Sequence, residues 1–199
     1  QPINYSLNFD GIDDYVELTD IDLDGDFTLF ARITNSRDID NYFGVISKYP
    51  SYSLQGQPDG YIYSHPPYPN SPANAPEGCH MPDLPSSGEW YDVAMVMSNG
   101  TVYLYLNGEL SDTCNGAGYA PSNDQNVFLG AAHSSPNVAS FFHYGKMDDV
   151  RIWSRALTQT EISQNLNSDV NLEAYYDFDY TDDGVLYDMS GNGNHGIIH

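Results

Sequence analysis

The feature that most constrains the fold of this chain is a series of short segments in which apolar and polar residues alternate. The clearest pair lies at 90–97 and 101–106, separated by the turn sequence SNG at 98–100. A second turn sequence, NG at 107–108, follows directly. Asn-Gly between two alternating segments is the strongest short-range indication of a β-hairpin. A two-residue period therefore dominates this region, and it predicts antiparallel sheet.

Further segments of the same kind recur along the chain. They lie at 5–9, 14–18, 27–33, 43–48, 61–63, 127–131, 147–153, 172–178 and 184–186. Because long helices do not alternate with these segments, the pattern favours an all-β protein, an antiparallel β-sandwich or jelly roll. One short helix is predicted after a capping box at 158–161, with Leu157, Ile162 and Leu166 as its apolar stripe. The length of 199 residues predicts a single domain spanning 1–199.

The charge of the chain excludes several classes of partner. Six Lys and Arg against 28 Asp and Glu give a formal net charge of −22. Such a chain repels polyanions, so we expect no nucleic-acid partner. No apolar run approaches the length of a membrane-spanning helix, so we expect no membrane insertion. Because the chain starts at Gln1 and its first methionine is Met81, we expect a processed product or a piece of a larger protein.

The two cysteines, Cys79 and Cys114, lie in loop-like segments at 64–88 and 111–126 that are rich in Pro, Gly, Asn and Ser. In an acidic, tyrosine-rich chain, such a pair favours one disulfide formed in an oxidising, extracellular compartment. Two free thiols are the alternative. A disulfide would tie the two loops together and favour their order.

The segment DIDLDGD at 20–26 begins like the calcium loop of an EF-hand, D-x-D-x-D-G. The twelfth position of such a loop needs a bidentate glutamate, but this chain has Ala31 there. The residues that follow, at 27–33, alternate like a strand and lack a helical period. We therefore interpret 20–26 as a turn with a solvated acidic face that leads into a strand.

Five longer segments together resemble the laminin-G-like, concanavalin A-like jelly rolls of bacterial surface and secreted proteins, whose architecture pentraxins share. They are LNFDGIDDYVEL at 7–18, FTLFARI at 27–33, WYDVAMVMSNGTVYLYLNGEL at 90–110, GKMDDVRIWSRALTQTEI at 145–162 and AYYDFDYTDDGVLYDMSGNGNHG at 174–196. They occur in family order and at family spacing, and the resemblance extends over nearly the whole chain. The resemblance implies a jelly roll and makes 20–33 the family's turn into its third strand.

The resemblance leaves several functions open, because this fold hosts carbohydrate-binding modules, adhesion domains, lectins and a few enzymes. Hydrolases of this shape carry an E-x-D-x-x-E cluster, which the six glutamates of this chain do not form. We also find no Ser/His/Asp or Cys/His arrangement. We predict a non-catalytic extracellular recognition module that binds carbohydrate. The alternatives are a protein- or peptide-binding adhesion domain of a surface protein, and a polysaccharide lyase or hydrolase domain.

A calcium site is predicted at the first Asp-rich turn, where Asp10, Asp13 and Asp14 surround a glycine. Ca²⁺ takes six to eight oxygen ligands, typically from carboxylates and backbone carbonyls together. We add Asp148, because strand alternation places it on the inward face with Val150. The resemblance also implies Ca²⁺ near this turn. The alternative is that these aspartates cap turns by accepting bonds from backbone N–H groups.

The ligand is expected to bind the loops at 49–88 and 111–135, where tyrosines and histidines accumulate. Aromatic rings with a few placed polar groups are typical of small-ligand sites. The predicted ligand-binding residues are Tyr52, Tyr61, Tyr63, Tyr68, Tyr119, Asn123, Asp124 and His133. For any single tyrosine, the alternative is packing in the core or over a sheet edge.

Overall fold

The computed structural model describes residues 5–36, 42–57, 79–81, 84–115, 118, 122–164 and 169–199, and the backbone of 62–65. Within these residues the chain forms eighteen strands and one helix. The strands are β1 (Leu7–Asp10), β2 (Val16–Leu18), β3 (Phe27–Thr34), β4 (Phe43–Lys48), β5 (Tyr52–Gly56), β6 (Ile62–His65), β7 (His80–Met81), β8 (Trp90–Ser98), β9 (Thr101–Leu106), β10 (Glu109–Asn115), β11 (Val127–Leu129), β12 (Ala132–Ser135), β13 (Val138–Ser140), β14 (Tyr144–Trp153), β15 (Leu172–Tyr176), β16 (Thr181–Asp182), β17 (Val185–Leu186) and β18 (Gly196–Ile198). The helix, α1, spans Gln159–Ser163.

Two large sheets enclose a common apolar core. The first sheet has the strand order β1-β14-β3-β8-β9-β10, with β15 also paired to β14. The second has the order β16-β17-β18-β2-β11-β4-β5-β6-β7, and β12 and β13 form a separate hairpin. The pairings among the described strands are antiparallel. This architecture confirms the predicted all-β sandwich of jelly-roll type with one short helix.

The two predicted Asn-Gly turns close hairpins and set their register. Asn99 and Gly100 have φ angles of 49° and 75°, and Asn107 and Gly108 have φ angles of 50° and 80°. Positive φ at both central residues is what a two-residue type I′ turn requires. Ser98 consequently pairs with Thr101 across the first turn. Alternate residues of β3 and β8 then face the core.

Several strands with polar or exposed side chains were not predicted from the sequence. The clearest case is β10, which occupies part of the predicted loop at 111–126 and is an edge strand of the first sheet. The side chains of β10 are exposed or half-exposed along its whole length. Such a strand is held by its backbone pairing with β9, so its sequence needs no apolar period. The hairpin of β12 and β13 was missed for the same reason.

The helix begins at the predicted capping box. The Thr158 hydroxyl accepts a bond from Glu161 N, and the Glu161 carboxylate accepts one from Thr158 N. Leu157 and Ile162 pack in a second apolar cluster on the outer face of the first sheet, and Leu166 lies outside the described residues. The bond from Arg155 to the carboxylate and those from Thr158 lower the pKa of Glu161 to about 2.

A β-bulge in β14 turns Asp148 away from the core and corrects its predicted orientation. The register between β14 and β3 shifts between Asp148 and Arg151, and Asp149 has a positive φ of 48°. The extra residue moves the alternation by one position, so Met147 and Val150 both lie in the core. Asp148 consequently lies on the outer face of the first sheet, although it is only 7% exposed.

The acidic segment 20–26 is organised by Lys48 of β4. The Lys48 side chain is fully buried, and its ammonium contacts the carboxylates of Asp20 and Asp22. Ile21 and Leu23, which alternate with these aspartates, enter the core. Asp20 and Asp22 remain exposed, as predicted, and their carboxylates also provide the counter-charges that an ammonium inside the sandwich requires.

The same segment is also bonded to two other parts of the chain. Asp24 accepts a bond from the Ser122 hydroxyl at 2.7 Å, and Asp26 accepts one from Asn99 N at 2.8 Å. Partial burial raises the pKa of Asp22, but bonds with Lys48, Asn123 and Ser122 outweigh burial and hold the pKa below its usual value. The segment therefore connects β4, the loop before β11 and the turn between β8 and β9.

We expect the buried ion pair to respond asymmetrically to substitution. The double variant Asp20→Asn, Asp22→Asn leaves the Lys48 ammonium buried without a counter-charge, which should lower the free energy of unfolding by ~3–5 kcal/mol. Lys48→Met should cost clearly less, because the carboxylates of Asp20 and Asp22 are 38% and 33% exposed and regain water. Urea denaturation of the three proteins at pH 7 measures both effects. Equal losses would contradict this account of the pair.

Candidate ligand-binding site

A cavity of about 360 Å³ opens on the outer face of the second sheet, beside the turn that joins β4 to β5. We call it the Tyr49–Phe141 cavity. Ser47, Ser53 and Gln55 line its base, and Tyr49, His133 and Phe141 line its sides. Strand alternation explains the base, because Ile46 and Leu54 face the core while their neighbours face outward. The volume falls in the ~300–1,000 Å³ range of small-ligand sites.

The sides of the cavity are aromatic and partly exposed. Tyr49 is 40% exposed and Phe141 is 44% exposed, and the ring of Tyr42 meets that of Phe141 edge-on at 5.8 Å. His133 stacks on Phe128 at 4.1 Å and lies 6.2 Å from the ring of Tyr49. Rings held in this way present faces and edges to a ligand with little loss of side-chain freedom.

Close backbone packing brings the hairpin of β12 and β13 over β4. A Cβ atom at Gly44 would lie 2.0 Å from the carbonyl carbon of Ala131, so only glycine permits this approach. Gly44 N also donates to the Phe141 carbonyl at 2.7 Å. Phe141 has a φ of 55°, in the left-handed region that bulky residues rarely adopt. The fold therefore holds an aromatic residue in an unfavourable backbone conformation at the mouth of the cavity.

The base of the cavity is polar but uncharged. Ser53 is 5% exposed, and among the described residues its hydroxyl has no hydrogen-bond partner. His133 Nε2 lies 3.2 Å from the Ser47 carbonyl, which fits a donated N–H. Burial lowers the pKa of His133, although bonds with the backbone of Ser47 and Ser135 oppose the effect. Burial therefore favours the neutral form of the imidazole.

Of the predicted ligand-binding residues, only some meet at this cavity. His133 and Tyr52 line it. The backbone of Tyr63 lies on β6 opposite Gln55 in the strand register. Asp124 is exposed on the loop before β11. The remaining predicted positions that fall outside the described residues are Tyr61, Tyr68 and Tyr119.

Tyr52 and Asn123 have structural roles. Tyr52 is 2% exposed and donates its hydroxyl to the Ile21 carbonyl at 3.0 Å. Tyr52 borders the Tyr49–Phe141 cavity, as its prediction requires, but its ring is almost wholly covered and offers a ligand little surface. Asn123 donates from Nδ2 to the Ser51 hydroxyl at 2.6 Å and accepts from Gln125 N at 2.9 Å. Its amide braces the loop before β11 against the turn that carries Tyr49.

Sequence reasoning missed Phe141, Ser47 and Ser53. Phe141 lies outside the predicted ligand loops and reaches the cavity only because β12 and β13 fold over β4. The two serines belong to strands and carried no signal beyond their polar positions between apolar neighbours. That alternation placed them on an outward face, but it could not show what covers that face.

The predicted metal ligands separate into two places. Carboxylate oxygens of Asp10, Asp13 and Asp14 lie within 4.8 Å of one another. Asp148 is remote, because Asp10 pairs with Tyr144 on β14, and the four residues from Tyr144 to Asp148 span roughly 13 Å. The β-bulge also turns Asp148 outward, so its inclusion in this site is wrong.

Two of the three remaining aspartates cap the turn by accepting bonds from backbone N–H groups, and the third, Asp13, is more exposed. Asp14 Oδ2 accepts from Asp10 N at 2.8 Å, and Asp10 Oδ1 accepts from Ile12 N at 2.7 Å. Asp13 is exposed. In the described part of the chain, no Lys, Arg or His forms an ion pair with the three carboxylates. This set of clustered, unneutralised oxygens fits the preferences of Ca²⁺.

Cys79 and Cys114 form the predicted disulfide. Cys79 immediately precedes β7, whereas Cys114 lies within β10 and not in a loop. The bond therefore joins the residue before an edge strand of the second sheet to an edge strand of the first. Cys79 is fully buried in the core.

Family membership follows from the sequence as well as from the fold. A laminin G family model described as the concanavalin A-like lectin/glucanases superfamily matches residues 10–163. The chain belongs to this superfamily. The region matched to the concanavalin A-like superfamily contains all the strands that build the Tyr49–Phe141 cavity. No functionally curated protein matches the sequence.

Solved structures of similar fold include three informative cases. A candidate carbohydrate-binding protein from Bacteroides ovatus aligns over 100% of this chain and 59% of its own, with a TM-score of 0.79 and 20% identity. A heptameric SAP-like pentraxin from Limulus polyphemus aligns over 81% of each chain, with a TM-score of 0.60 and 19% identity. The CBM40 of a Ruminococcus gnavus IT-sialidase, bound to α2,3-sialyllactose, aligns over 80% of this chain and 96% of its own, with a TM-score of 0.60 and 14% identity.

These likenesses establish a shared fold. The chain spans 59% of the length of the Bacteroides ovatus protein, so the activity of a whole protein of that size does not transfer to it. In the part of the chain that the structure describes, no helix is both long and apolar enough to span a bilayer.

His143 supports the segment that carries Phe141 and should make stability depend on pH. It is fully buried between Phe9 and Phe43, with ring centroids at 5.8 and 5.3 Å, and burial lowers its pKa to about 4. The unfolded chain binds this proton near pH 6.5 and the folded chain only near pH 4, so stability is complete above pH 6.5 and falls below it.

Between pH 7 and 5.5, His143 should account for a loss of ~1 kcal/mol in the free energy of unfolding. In His143→Gln this contribution should disappear, so the stability of the variant should change less over the same range. Urea titrations at several pH values measure the two slopes, independently of any difference in absolute stability. Parallel slopes would contradict a neutral, buried His143.

Proposed function

We propose that this domain is a non-catalytic recognition module that binds carbohydrate in the Tyr49–Phe141 cavity. The observation that carries the proposal is a cavity with exposed aromatic sides and no unpaired charge among its described lining residues, whose base holds a buried serine hydroxyl that has no partner in the described part of the chain. Sugar rings present C–H faces that stack on aromatic residues and hydroxyls that both donate and accept hydrogen bonds. The carbohydrate ligands of structures with this fold are consistent with the proposal.

The groups around the cavity favour binding over hydrolysis. None of its lining residues in the described chain is a carboxylate, whereas glycoside hydrolysis typically uses two. Lys48 also borders the cavity, but its ammonium is committed to Asp20 and Asp22. Tyr49 and His133 lie close together, as the lyase alternative would require. A lyase that acts on a uronate would also need a cation to neutralise the uronate carboxylate, and the described lining residues offer none besides the committed Lys48.

We also propose an extracellular location for the domain. The Cys79–Cys114 disulfide supports it, because disulfides persist in oxidising compartments and are rare in the cytosol. The net charge of −22 suits a protein that remains dispersed and does not bind anionic membrane surfaces.

A screen of immobilised glycans and polysaccharides tests the binding proposal. We expect Phe141→Ala to weaken binding at least about tenfold, equivalent to ~1.4 kcal/mol, because a stacking face is lost. Tyr180→Ala is the matched control, because Tyr180 is an exposed aromatic residue, at 62%, that does not line the cavity. Equal binding by both variants would show that the Tyr49–Phe141 cavity is not the binding site. Absence of binding to any glycan would favour the adhesion alternative, and release of unsaturated sugars would favour the lyase.

Ser53→Ala distinguishes a ligand-binding hydroxyl from a structural one. A buried hydroxyl without a partner costs ~1–3 kcal/mol, so its removal should leave the melting temperature unchanged or raise it. The same substitution should weaken glycan binding about two- to tenfold, through loss of one hydrogen bond of ~0.5–1.5 kcal/mol. Thermal melting and binding are measured on the same preparation. A less stable variant with unchanged affinity would show a structural role.

We further propose that Ca²⁺ binds at Asp10, Asp13 and Asp14, together with backbone carbonyls of the turn. Ca²⁺ should raise the melting temperature relative to EDTA, because a ligand that binds only the folded state stabilises it. Asp13→Asn should abolish this response and leave the turn caps of Asp10 and Asp14 in place. Asp124→Asn, at another exposed aspartate, is the control. An identical melting temperature in Ca²⁺ and EDTA would exclude the site.

A further inference from the structure

The outer face of the first sheet is divided into a covered half and an open half. Over the covered half, Leu157 and Ile162 pack on Phe30, Val96 and Trp153. The open half contains a second cavity of about 600 Å³, which we call the Trp90 cavity. It lies where β1 and β15, both paired to β14, diverge on either side of the bulge at Asp148 and Asp149.

A row of alternating charges crosses the open half. The strand register places Asp148 opposite Arg32 and Arg32 opposite Asp92. The Arg32 Nη1 atom lies 3.8 Å from Asp92 Oδ1, and half of the Arg32 side chain is exposed. Burial raises the pKa of Asp92 above its usual value; Arg32 opposes this rise and Asp149 adds to it. These groups therefore share one electrostatic environment. Carboxylate acceptors and guanidinium donors therefore stand side by side in one surface.

Aromatic residues border this row on both sides. Trp90 is 38% exposed, and the Arg32 guanidinium carbon lies 5.9 Å from its ring. Tyr175 holds the Arg151 guanidinium at 4.2 Å, and Arg151 Nε in turn donates to Asp149 at 2.6 Å. Tyr5, at the edge of the cavity, is 54% exposed. The polar row is thus flanked by rings that have one accessible side.

The charges of the lining constrain the ligand. Asp148, Asp149, Asp177 and Asp179 oppose an anion, and the net charge of the chain adds to this repulsion. Arg32 and Lys146 neutralise part of this charge, so the cavity attracts a free cation less than four carboxylates alone would. An uncharged ligand with many hydroxyls avoids the repulsion and uses groups of both signs, because its hydroxyls donate to carboxylates and accept from a guanidinium or ammonium. The neighbouring rings suit the apolar faces of such a ligand.

We propose that the Trp90 cavity is a second saccharide-binding site, specific for neutral sugars. It lies on the opposite sheet from the Tyr49–Phe141 cavity and does not depend on binding there. Trp90 supplies a stacking face, and Arg32 and Asp148 bind hydroxyls. Its position on a rigid sheet means that little ordering accompanies binding.

The two tryptophans of the chain permit a direct test, because they differ in exposure. Trp153 is fully buried, whereas Trp90 is 38% exposed, so acrylamide should quench mainly Trp90. The probes are arabinotriose, xylotetraose, cellotetraose and galactobiose, with α2,3-sialyllactose and spermidine as anionic and cationic comparisons. We expect at least one neutral oligosaccharide to remove most of the quenching, and neither charged probe to do so at the same concentration.

Three variants define the site. In Trp90→Phe, acrylamide quenching and the sugar response should both disappear, which assigns the signal. Arg32→Met should retain quenching but weaken sugar protection at least about tenfold. Phe141→Ala should leave the protection of Trp90 unchanged. The experiment therefore distinguishes a lack of binding in the Tyr49–Phe141 cavity from a lack of binding in the Trp90 cavity. The proposal is overturned if no neutral sugar protects Trp90, if protection is unaltered in Arg32→Met, or if spermidine protects Trp90 and the sugars do not.

Discussion

The ammonium group of Lys48 lies inside the sandwich, where a charge without a counter-ion is too costly to maintain. Asp20 and Asp22 supply the counter-charges, and their segment is thereby drawn against β4. Ile21 can then enter the core and accept the hydroxyl bond of Tyr52. The turn between Lys48 and Tyr52, which carries Tyr49, is held from both ends. The two ion pairs of Lys48 therefore position the rim of the Tyr49–Phe141 cavity.

Both proposed sites occupy outer faces because the space between the sheets is filled by the apolar core. On the second sheet, the hairpin of β12 and β13 folds over β4 and converts a flat face into a cavity. On the first sheet, α1 covers one half, and the bulge in β14 brings Asp148 to the other. The two cavities therefore face opposite directions, so one short oligosaccharide cannot occupy both, and a long polysaccharide or two chains are the ligands that such an arrangement suits.

Local patterns in the sequence predicted those parts of the fold that depend on neighbouring residues. The turns at Asn99 and Asn107 and the capping box at Thr158 have the expected geometry, because each is specified by a few adjacent residues. Asp148 was assigned to the wrong face, because a bulge changes the alternation without an unmistakable sequence signal. Tyr52 was assigned to the ligand because composition cannot distinguish a tyrosine in the core from one at a rim.

The sequence by itself determined the all-β architecture, the hairpin turns and the helix start, favoured a disulfide over two free thiols, and indicated the superfamily. These features follow from periodicity, turn chemistry and residue type, which are local or compositional properties. Only the tertiary structure decided that Lys48 neutralises Asp20 and Asp22, that Phe141 meets Tyr49 and His133, and that Arg32 stands between two aspartates. Those contacts join residues that are distant along the chain, and they arise from strand register and from the packing of one element over another.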